Sequence, residues 1–426
     1  MVVFLRHLTV EDYGPFSKLD IDLGDITIFV GRNNTGKSTA LEAIVLLLSS
    51  IDSSRMTDVL SKLSYKGRYL INLRSSKETA TISGNIYSQG ITNRVEVRIT
   101  SDISKLGEYR NNVIPEIMRL AIELSPRSQE ILIEAFRRIQ KENRNVKDFS
   151  EAFGKFVDEV VTTLSDYVND LLSSIMLMYV YIDDKLISIA SLPLMSEVKF
   201  SENIVNRLMR LGLSSIEARR LLNNQLGRIL ESRVIPINVN KVNMKPINVQ
   251  YLNAQRLSTY SFPIDTLSPG RQTEFIDLLR SEVRYFYDYR GGHVILNFDG
   301  NKVDVPYSLM GDGFKALVRM LGLIVMGVDV AVIDEPEAHL HPGFMELIVK
   351  YMVEPRFLDR MQFIMATQSL EFLDYLLNAA RDRGVLDRVR LIRLYLMPDG
   401  SIDYEQLSGE DAYGERHKLE SDLRGP

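Results

Sequence analysis

The stretch ITIFVGRNNTGKSTALEAIVLLL, residues 26–48, decides the fold of this chain. Gly31, Gly36, Lys37 and Ser38 fill the fixed positions of the pattern GxxxxGK[ST]. The apolar residues before the first glycine predict a buried strand, and the apolar residues after Ser38 recur at the spacing of one helix face. A strand, a glycine-rich loop and a helix in this order predict a phosphate-binding loop.

The chemistry expected of this loop follows from its backbone. The N–H groups of residues 32–38 would converge on phosphate oxygens, and the start of the helix adds a positive partial charge. Lys37 is expected to reach the β and γ phosphates of a nucleotide, and the Ser38 hydroxyl is expected to hold Mg²⁺. The predicted phosphate-binding residues are Gly31, Arg32, Asn33, Asn34, Thr35, Gly36, Lys37, Ser38 and Thr39.

Composition limits the classes of protein to which the chain can belong. Its 426 residues are 45% apolar and 25% charged, which is typical of globular proteins. A net charge of −5 argues against a surface that is basic throughout, as nucleic-acid binders often have. The chain has no cysteine, which excludes disulfides, thiolate metal sites and a cysteine nucleophile and fits a cytoplasmic location. No apolar run approaches the roughly 18 residues of a transmembrane helix, so no membrane partner is expected.

Strand and helix signals divide the chain into three parts. Residues 1–103 and 234–408 carry alternating and fully apolar segments that predict strands, interspersed with helices. Residues 104–233 are mainly helical in pattern, apart from a predicted hairpin at 178–190. Residues 409–426 are polar and are expected to form a solvated tail. The sequence therefore predicts an α/β fold that carries a mainly helical insertion, which would act as a lid or arm.

A second segment places two carboxylates at the end of a predicted strand. The apolar residues 330–333 are followed by Asp334 and Glu335. Asp334 is expected to hold Mg²⁺ directly or through water, and Glu335 is expected to polarise the attacking water as a general base. A charged turn after an ordinary strand would show the same pattern, but the phosphate loop favours the catalytic interpretation.

These two segments together resemble those of a known superfamily. GRNNTGKST at 31–39 and DEPEAHLHP at 334–342 are similar to the phosphate loop and Walker B region of ABC-type ATPase heads in the SMC, RecF and OLD superfamily. The similarity is greatest to OLD-like stand-alone ATPases that lack a C-terminal nuclease domain, and it covers residues 1–100 and 235–408. It implies a P-loop ABC-type head, Mg²⁺-dependent ATP binding with slow hydrolysis, and dimerisation of two heads on ATP.

The resemblance also assigns a signature segment and a strand-end residue. The segment GDGFK at 311–315 occupies the place of the signature, which would contact the γ-phosphate of ATP held by a second head. Gly311 stands where the superfamily has a serine, and Gln368 stands where it has a histidine. Both departures predict slow hydrolysis more than lost binding. The expected signature residues are Gly311, Asp312, Gly313 and Lys315, and the expected catalytic residues are Lys37, Glu335 and Gln368.

The biological role implied by the resemblance is DNA repair and maintenance or defence against invading genomes. One alternative is an ATPase that gates a separate effector protein without contacting DNA, and another is a nucleotide-gated scaffold that does not hydrolyse ATP. Gln255 and Arg256 follow a predicted strand and are candidates for metal and phosphate contacts or for a structural role. His339 and His341 are assigned to the loop after Walker B in preference to a metal site.

Overall fold

The structure is a computed structural model of the chain. It describes residues 3–63, 66, 69–88, 90–101, 110–142, 149–166, 175–193, 202–226, 235–241, 244–253, 264, 267–419 and 421–424.

Sixteen strands are present in this described part. They are β1 (Val3–Tyr13), β2 (Phe16–Asp22), β3 (Ile26–Val30), β4 (Thr79–Ser88), β5 (Ile91–Thr100), β6 (Ile175–Ile182), β7 (Lys185–Pro193), β8 (Ile235–Asn238), β9 (Val249–Leu252), β10 (Phe286–Arg290), β11 (His293–Phe298), β12 (Asn301–Pro306), β13 (Val330–Asp334), β14 (Gln362–Thr367), β15 (Val389–Leu396) and β16 (Ile402–Ser408).

The α-helices of the described residues alternate with these strands. They are α1 (Lys37–Ser49), α2 (Ser53–Leu63), α3 (Arg110–Glu123), α4 (Pro126–Glu142), α5 (Phe149–Asp166), α6 (Glu202–Arg210), α7 (Ser215–Arg219), α8 (Pro269–Glu282), α9 (Asp312–Met326), α10 (Pro342–Met352), α11 (Pro355–Leu358), α12 (Leu370–Asp382) and α13 (Gly409–Lys418). No helix of the described residues is long and apolar enough to cross a membrane. The mixed α/β class expected from the sequence is confirmed.

Three sheets organise these strands. The first is antiparallel, in the order β2-β1-β4-β5-β6-β7-β8, and the third is the antiparallel set β10-β11-β12. The second has the order β16-β15-β3-β14-β13-β9, and all its neighbours are parallel except β16. In a parallel sheet the carboxyl ends of neighbouring strands lie at one edge. The ends of β3, β14 and β13 therefore meet there, in the registers Thr367 to Val30 and Ala366 to Asp334.

The parallel sheet is buried on both faces, which is why its strands read as continuous apolar runs. In β3, Ile26, Ile28 and Val30 face one core, which is shared with helices α8, α9, α10 and α12. Phe29 faces a second core together with α1 and the antiparallel sheet. Helix α1 thus lies between the two large sheets, and its fixed position sets the position of the phosphate loop that precedes it.

The predicted insertion at 104–233 shares a sheet with the head. Its hairpin β6-β7 pairs with β5 on one side and with β8 on the other, so the antiparallel sheet runs continuously through it. Helices α3 to α7 cover the outer face of that end of the sheet and enclose a third core. Helices and the hairpin are both present as predicted, and the division into head and insertion remains a proposal.

The expectation of a solvated tail after residue 408 is wrong for the described residues. Residues 409–418 form helix α13, which begins at Ser408, whose hydroxyl accepts from the Asp411 N–H at 3.1 Å. Ala412 and Leu423 are fully buried. The polar composition gave a wrong prediction because only one side of this short helix contacts the core, and the other side is polar.

Two other predicted elements differ in their bounds. The pattern of residues 68–73 predicts a strand, but among the described residues of that stretch only Ile71 forms an isolated bridge, to Tyr13. The pattern of residues 271–289 predicts one helix, but α8 ends at Glu282. The stretch after it is rich in tyrosine and phenylalanine, which favour strands, and it forms β10.

Candidate functional site

The phosphate loop turns sharply between β3 and α1, and two glycines make the turn feasible. Gly36 has φ +86°, a left-handed conformation that glycine adopts without steric cost. A Cβ at Gly36 would lie 2.8 Å from the Phe16 ring, and a Cβ at Gly31 would lie 2.6 Å from the Leu394 carbonyl oxygen. The pattern glycines are therefore required by both the conformation and the packing of the loop.

The loop ends at the N-terminus of helix α1. The main-chain N–H of Ala40 donates to the Gly36 carbonyl at 2.9 Å, which is the first bond of the helix. The preceding N–H groups, of Lys37, Ser38 and Thr39, have no intrahelical acceptor by the geometry of any helix start. They are available to an anion, and the helix dipole adds to the attraction.

Lys37 lies over this loop. Its Nζ donates to the carbonyl oxygens of Gly31 and Arg32, both at 2.8 Å. Burial lowers the pKa of Lys37, and nearby negative charges oppose the shift. These charges are the carboxylates of Asp334, Glu335 and Glu337. The Lys37 ammonium therefore lies within electrostatic range of three acids at and after the end of β13.

Asp334 and Ser38 form the contact between the two predicted motifs. The Ser38 hydroxyl on α1 lies beside the Asp334 carboxylate at the end of β13. Burial raises the pKa of Asp334, and the neighbouring hydroxyl opposes the rise. A hydroxyl beside a carboxylate fits the way proteins hold Mg²⁺, which takes one or two protein oxygens and completes its shell with phosphate and water. The two residues predicted to bind the metal are thus in contact.

Glu335 follows Asp334 in an unusual conformation. Its φ is +56°, and its main-chain N–H donates to the Ala366 carbonyl at 2.8 Å. Its carboxylate accepts from the Gln368 Nε2 at 3.1 Å. A left-handed conformation at glutamate costs energy and persists only where the surroundings impose it. The structure therefore brings Glu335 and Gln368 together at the sheet edge that also bears the phosphate loop.

Glu337 is a residue of this site that the sequence interpretation did not assign. Its Oε1 accepts from the Thr367 hydroxyl at 2.7 Å. Its Oε2 is buried without a hydrogen-bond partner. Burial raises the pKa of Glu337. The only sequence signal was its place in the DEPE run, where it reads as one more exposed loop acid.

The signature segment lies against the loop that follows Walker B. Gly311 caps helix α9, and the Lys315 ammonium pairs with Asp312 at 3.5 Å. A Cβ at Gly313 would lie 2.9 Å from the His339 carbonyl oxygen. No hydrogen bond or ion pair joins residues 311–315 to the phosphate loop within the described part of the chain.

Two side interpretations can be compared with the structure. His341 caps helix α10, its Nδ1 accepting from the Gly343 N–H at 3.3 Å, as suits a loop residue. Gln255 and Arg256 lie outside the described residues.

A cavity of about 370 Å³ opens beside the phosphate loop. Thr39 and Glu42 of α1 form one wall, and Tyr13 and Pro15 from the turn between β1 and β2 form another. Because Thr39 lies in the first turn of α1, the cavity reaches the N–H groups that the sequence predicts to bind phosphate.

The chain is similar to one known sequence family and to two known proteins. The profile of the family described as "AAA domain, putative AbiEii toxin, Type IV TA system" matches residues 26–374. The uncharacterized protein MJECL11 of Methanocaldococcus jannaschii is 31% identical over 118 residues, which are 27% of this chain and all of that protein. The DNA replication and repair protein RecF of Lactobacillus acidophilus is 29% identical over 105 residues, which are 24% of this chain and 25% of RecF. This chain therefore matches about a quarter of the length of RecF.

Solved structures of similar shape include the SMC head domain from Thermotoga maritima. The TM-score is 0.44 at 11% identity, and the alignment covers 95% of this chain and 99% of that one.

Proposed function

The chain belongs to the AAA-domain family whose profile spans residues 26–374, and from this membership we propose that it binds ATP with Mg²⁺ and hydrolyses it slowly. It is a P-loop ATPase of the SMC and RecF type. ATP binding is further coupled to Mg²⁺, to hydrolysis of ATP and to dimerisation of two copies of the head.

The observation that carries the proposal is the contact between Ser38 and Asp334. It links a helix that begins at a phosphate loop to a strand that ends in two carboxylates. Mg²⁺ bound there would neutralise charge on the β and γ phosphates, which is the chemistry the metal supplies to phosphoryl transfer. Nucleotide phosphates would lie on the N–H groups of Lys37, Ser38 and Thr39.

The remaining residues receive roles from their geometry. Lys37 exchanges its carbonyl acceptors for phosphate oxygens, which compensate its charge more fully than carbonyls do. Glu335 accepts a proton from the attacking water, and Gln368 holds the Glu335 carboxylate in place through the 3.1 Å hydrogen bond. The neutral amide of Gln368 adds no positive charge, and this supports a slow reaction.

The cavity beside α1 is where the base and ribose of the nucleotide would lie. Its volume of about 370 Å³ lies within the usual range for small-ligand sites. Pro15 offers apolar surface to a base, and the ion pair of Glu42 with Lys66 lies at the same wall.

For the biological role we propose genome maintenance or defence, with a second copy of the chain as the partner during the ATP cycle. The name of RecF supports maintenance, and the toxin system in the family description supports defence. Salt-dependent binding of DNA would favour direct action on a genome over gating of a separate effector protein.

The test of the proposed function begins with ATP binding. Lys37→Ala should remove most ATP affinity, because the phosphates lose the mobile cation of the loop. Isothermal titration with ATP and Mg²⁺ measures this, and phosphate release by the wild-type chain measures hydrolysis. Lys155→Ala is the matched control, since that lysine lies on α5, outside the phosphate loop and the signature segment, and pairs with Glu151 at 2.6 Å. Unchanged ATP affinity in Lys37→Ala would contradict the assignment of the phosphate loop.

A further inference from the structure

Residues 421–424, which follow helix α13, lie against the body of the protein. The Leu423 side chain is fully buried in the core below the parallel sheet. Its carbonyl accepts from Arg393 Nε at 3.1 Å, and the Ser421 carbonyl accepts from Arg416 Nη1 at 3.4 Å. A buried side chain and two main-chain contacts hold this segment in place.

The two charged residues of this segment face the nucleotide site. Asp422 accepts three hydrogen bonds from Arg424, at 2.7 to 3.0 Å. Hydrogen bonds from Arg424 lower the pKa of Asp422 to about 2, and the charge of Arg32 in the phosphate loop acts in the same direction. Arg424 Nη1 lies 3.4 Å from the carbonyl oxygen of Gln368, to which it donates. The segment therefore contacts the strand end and lies within electrostatic range of the phosphate loop.

The main chain of Gln368 determines where its side chain can act. The Gln368 side-chain amide donates to Glu335 at 3.1 Å, and the Gln368 N–H lies near the Glu337 carboxylate. The Gln368 carbonyl is the group that Arg424 contacts. The guanidinium also brings a permanent positive charge to a strand end whose own side chain is neutral.

We propose that residues 421–424 form a strap along the nucleotide site and that Arg424 is a positioning residue for Gln368, and through it for Glu335. The kinetic part of this inference rests on the proposed hydrolysis. Arg424 stays fixed because Asp422 holds its fork in a bidentate pair and Leu423 anchors the strap between them. Loss of Arg424 lets the Gln368 peptide shift while the phosphate loop stays intact.

The first experiment separates turnover from binding. Arg424→Ala should lower kcat for phosphate release about ten- to hundredfold, which is the usual effect of a misplaced catalytic group. ATP affinity by titration should change less than about threefold, because the phosphate ligands are untouched. Arg424→Lys should recover part of kcat, since an ammonium can donate to one carbonyl but cannot form the bidentate pair. Leu423→Ala should also lower kcat, because the loss of this buried side chain loosens residues 421–424.

Arg356→Ala is the matched control. This arginine lies on α11 and pairs with Glu354 at 3.1 Å, before β14 and at the opposite end of that strand from Gln368. The kcat of the Arg356→Ala variant should equal that of the wild type. A wild-type kcat in Arg424→Ala would overturn the inference, and so would a loss of ATP affinity as large as the loss of kcat.

A second readout does not depend on hydrolysis. Hydrogen–deuterium exchange in Arg424→Ala should be faster in peptides that contain Gln368 and Ser369, with no change in peptides that cover β3. If the wild-type chain releases no phosphate, the proposed function fails, and this exchange measurement still decides the strap. Unchanged exchange at Gln368 would refute it.

Discussion

Glu337 shows how a single buried acid can serve a site without touching its ligand. Its Oε1 accepts from the Thr367 hydroxyl, whose oxygen in turn accepts from the Ser369 N–H at 2.9 Å. Its Oε2 is buried without a hydrogen-bond partner. Glu337 thus fixes the turn that presents Gln368, and it does so with a carboxylate that is expensive to ionise there.

This cost predicts how stability depends on pH. Because burial raises the pKa of Glu337 from its ordinary 4.5, the native protein holds this proton more tightly than the unfolded chain does. The stabilisation is complete below that value and is lost as the pH rises through the raised pKa. Glu337→Gln does not titrate, so its free energy of unfolding relative to the wild type should rise as the pH increases above 4.5. Urea unfolding at several pH values measures this, and a difference that is constant over that range would contradict it.

At the scale of elements, one buried glutamine joins the two large sheets. Gln362, the first residue of β14, donates from Nε2 to the carbonyls of Leu5 and Gly24, at 2.8 and 2.7 Å. Its Oε1 accepts from the Leu5 N–H at 2.9 Å. The side chain is fully buried, so these main-chain groups of β1 and of the turn before β3 have no access to water in exchange.

Gln362→Leu should therefore destabilise the fold by about 2–4 kcal/mol, because it leaves three buried main-chain groups without this partner. Gln406→Leu is the matched control. Gln406 also bonds to a strand of the antiparallel sheet, through the Asp22 N–H at 3.1 Å, but it is exposed and water replaces it. Urea unfolding of both variants makes the comparison. Equal stability of the two would mean that the buried bonds contribute little.

Elements with strong local signals were predictable from the sequence, and contacts between distant segments were not. The phosphate loop and β13 with its two carboxylates each follow from local periodicity and turn chemistry. Strands β5 and β6 pair although helices α3, α4 and α5 separate them in the sequence, and no local sequence pattern predicts such a long-range pairing. For the same reason Arg424 carried no signal, since its contact with Gln368 joins residues 56 positions apart.

At the scale of the whole molecule, the proposed cycle requires two copies of the chain. The signature segment at 311–315 makes no hydrogen bond or ion pair with the phosphate loop of its own chain within the described residues, as expected if it serves ATP on another. Its two glycines differ in their surroundings. A Cβ at Gly313 would lie 2.9 Å from the His339 carbonyl oxygen, whereas no atom lies within 4 Å of a Cβ at Gly311. A large side chain at Gly311 would disturb the partner surface without straining the monomer.

This difference allows a sharp test of ATP-driven pairing. Glu335→Gln should slow hydrolysis by about 10²–10⁴-fold, the usual weight of a general base, while ATP binding survives because Asp334 and the phosphate loop are unchanged. The variant should then form a dimer with ATP and Mg²⁺ but not with ADP, as measured by size exclusion with light scattering. Adding Gly311→Arg should abolish this dimer and preserve ATP affinity, since the arginine would occupy the space meant for the partner's γ-phosphate. Adding Gly154→Arg instead, at an open position on α5, should leave the dimer intact. A Glu335→Gln protein that stays monomeric at saturating ATP would show that nucleotide does not pair two heads of this chain.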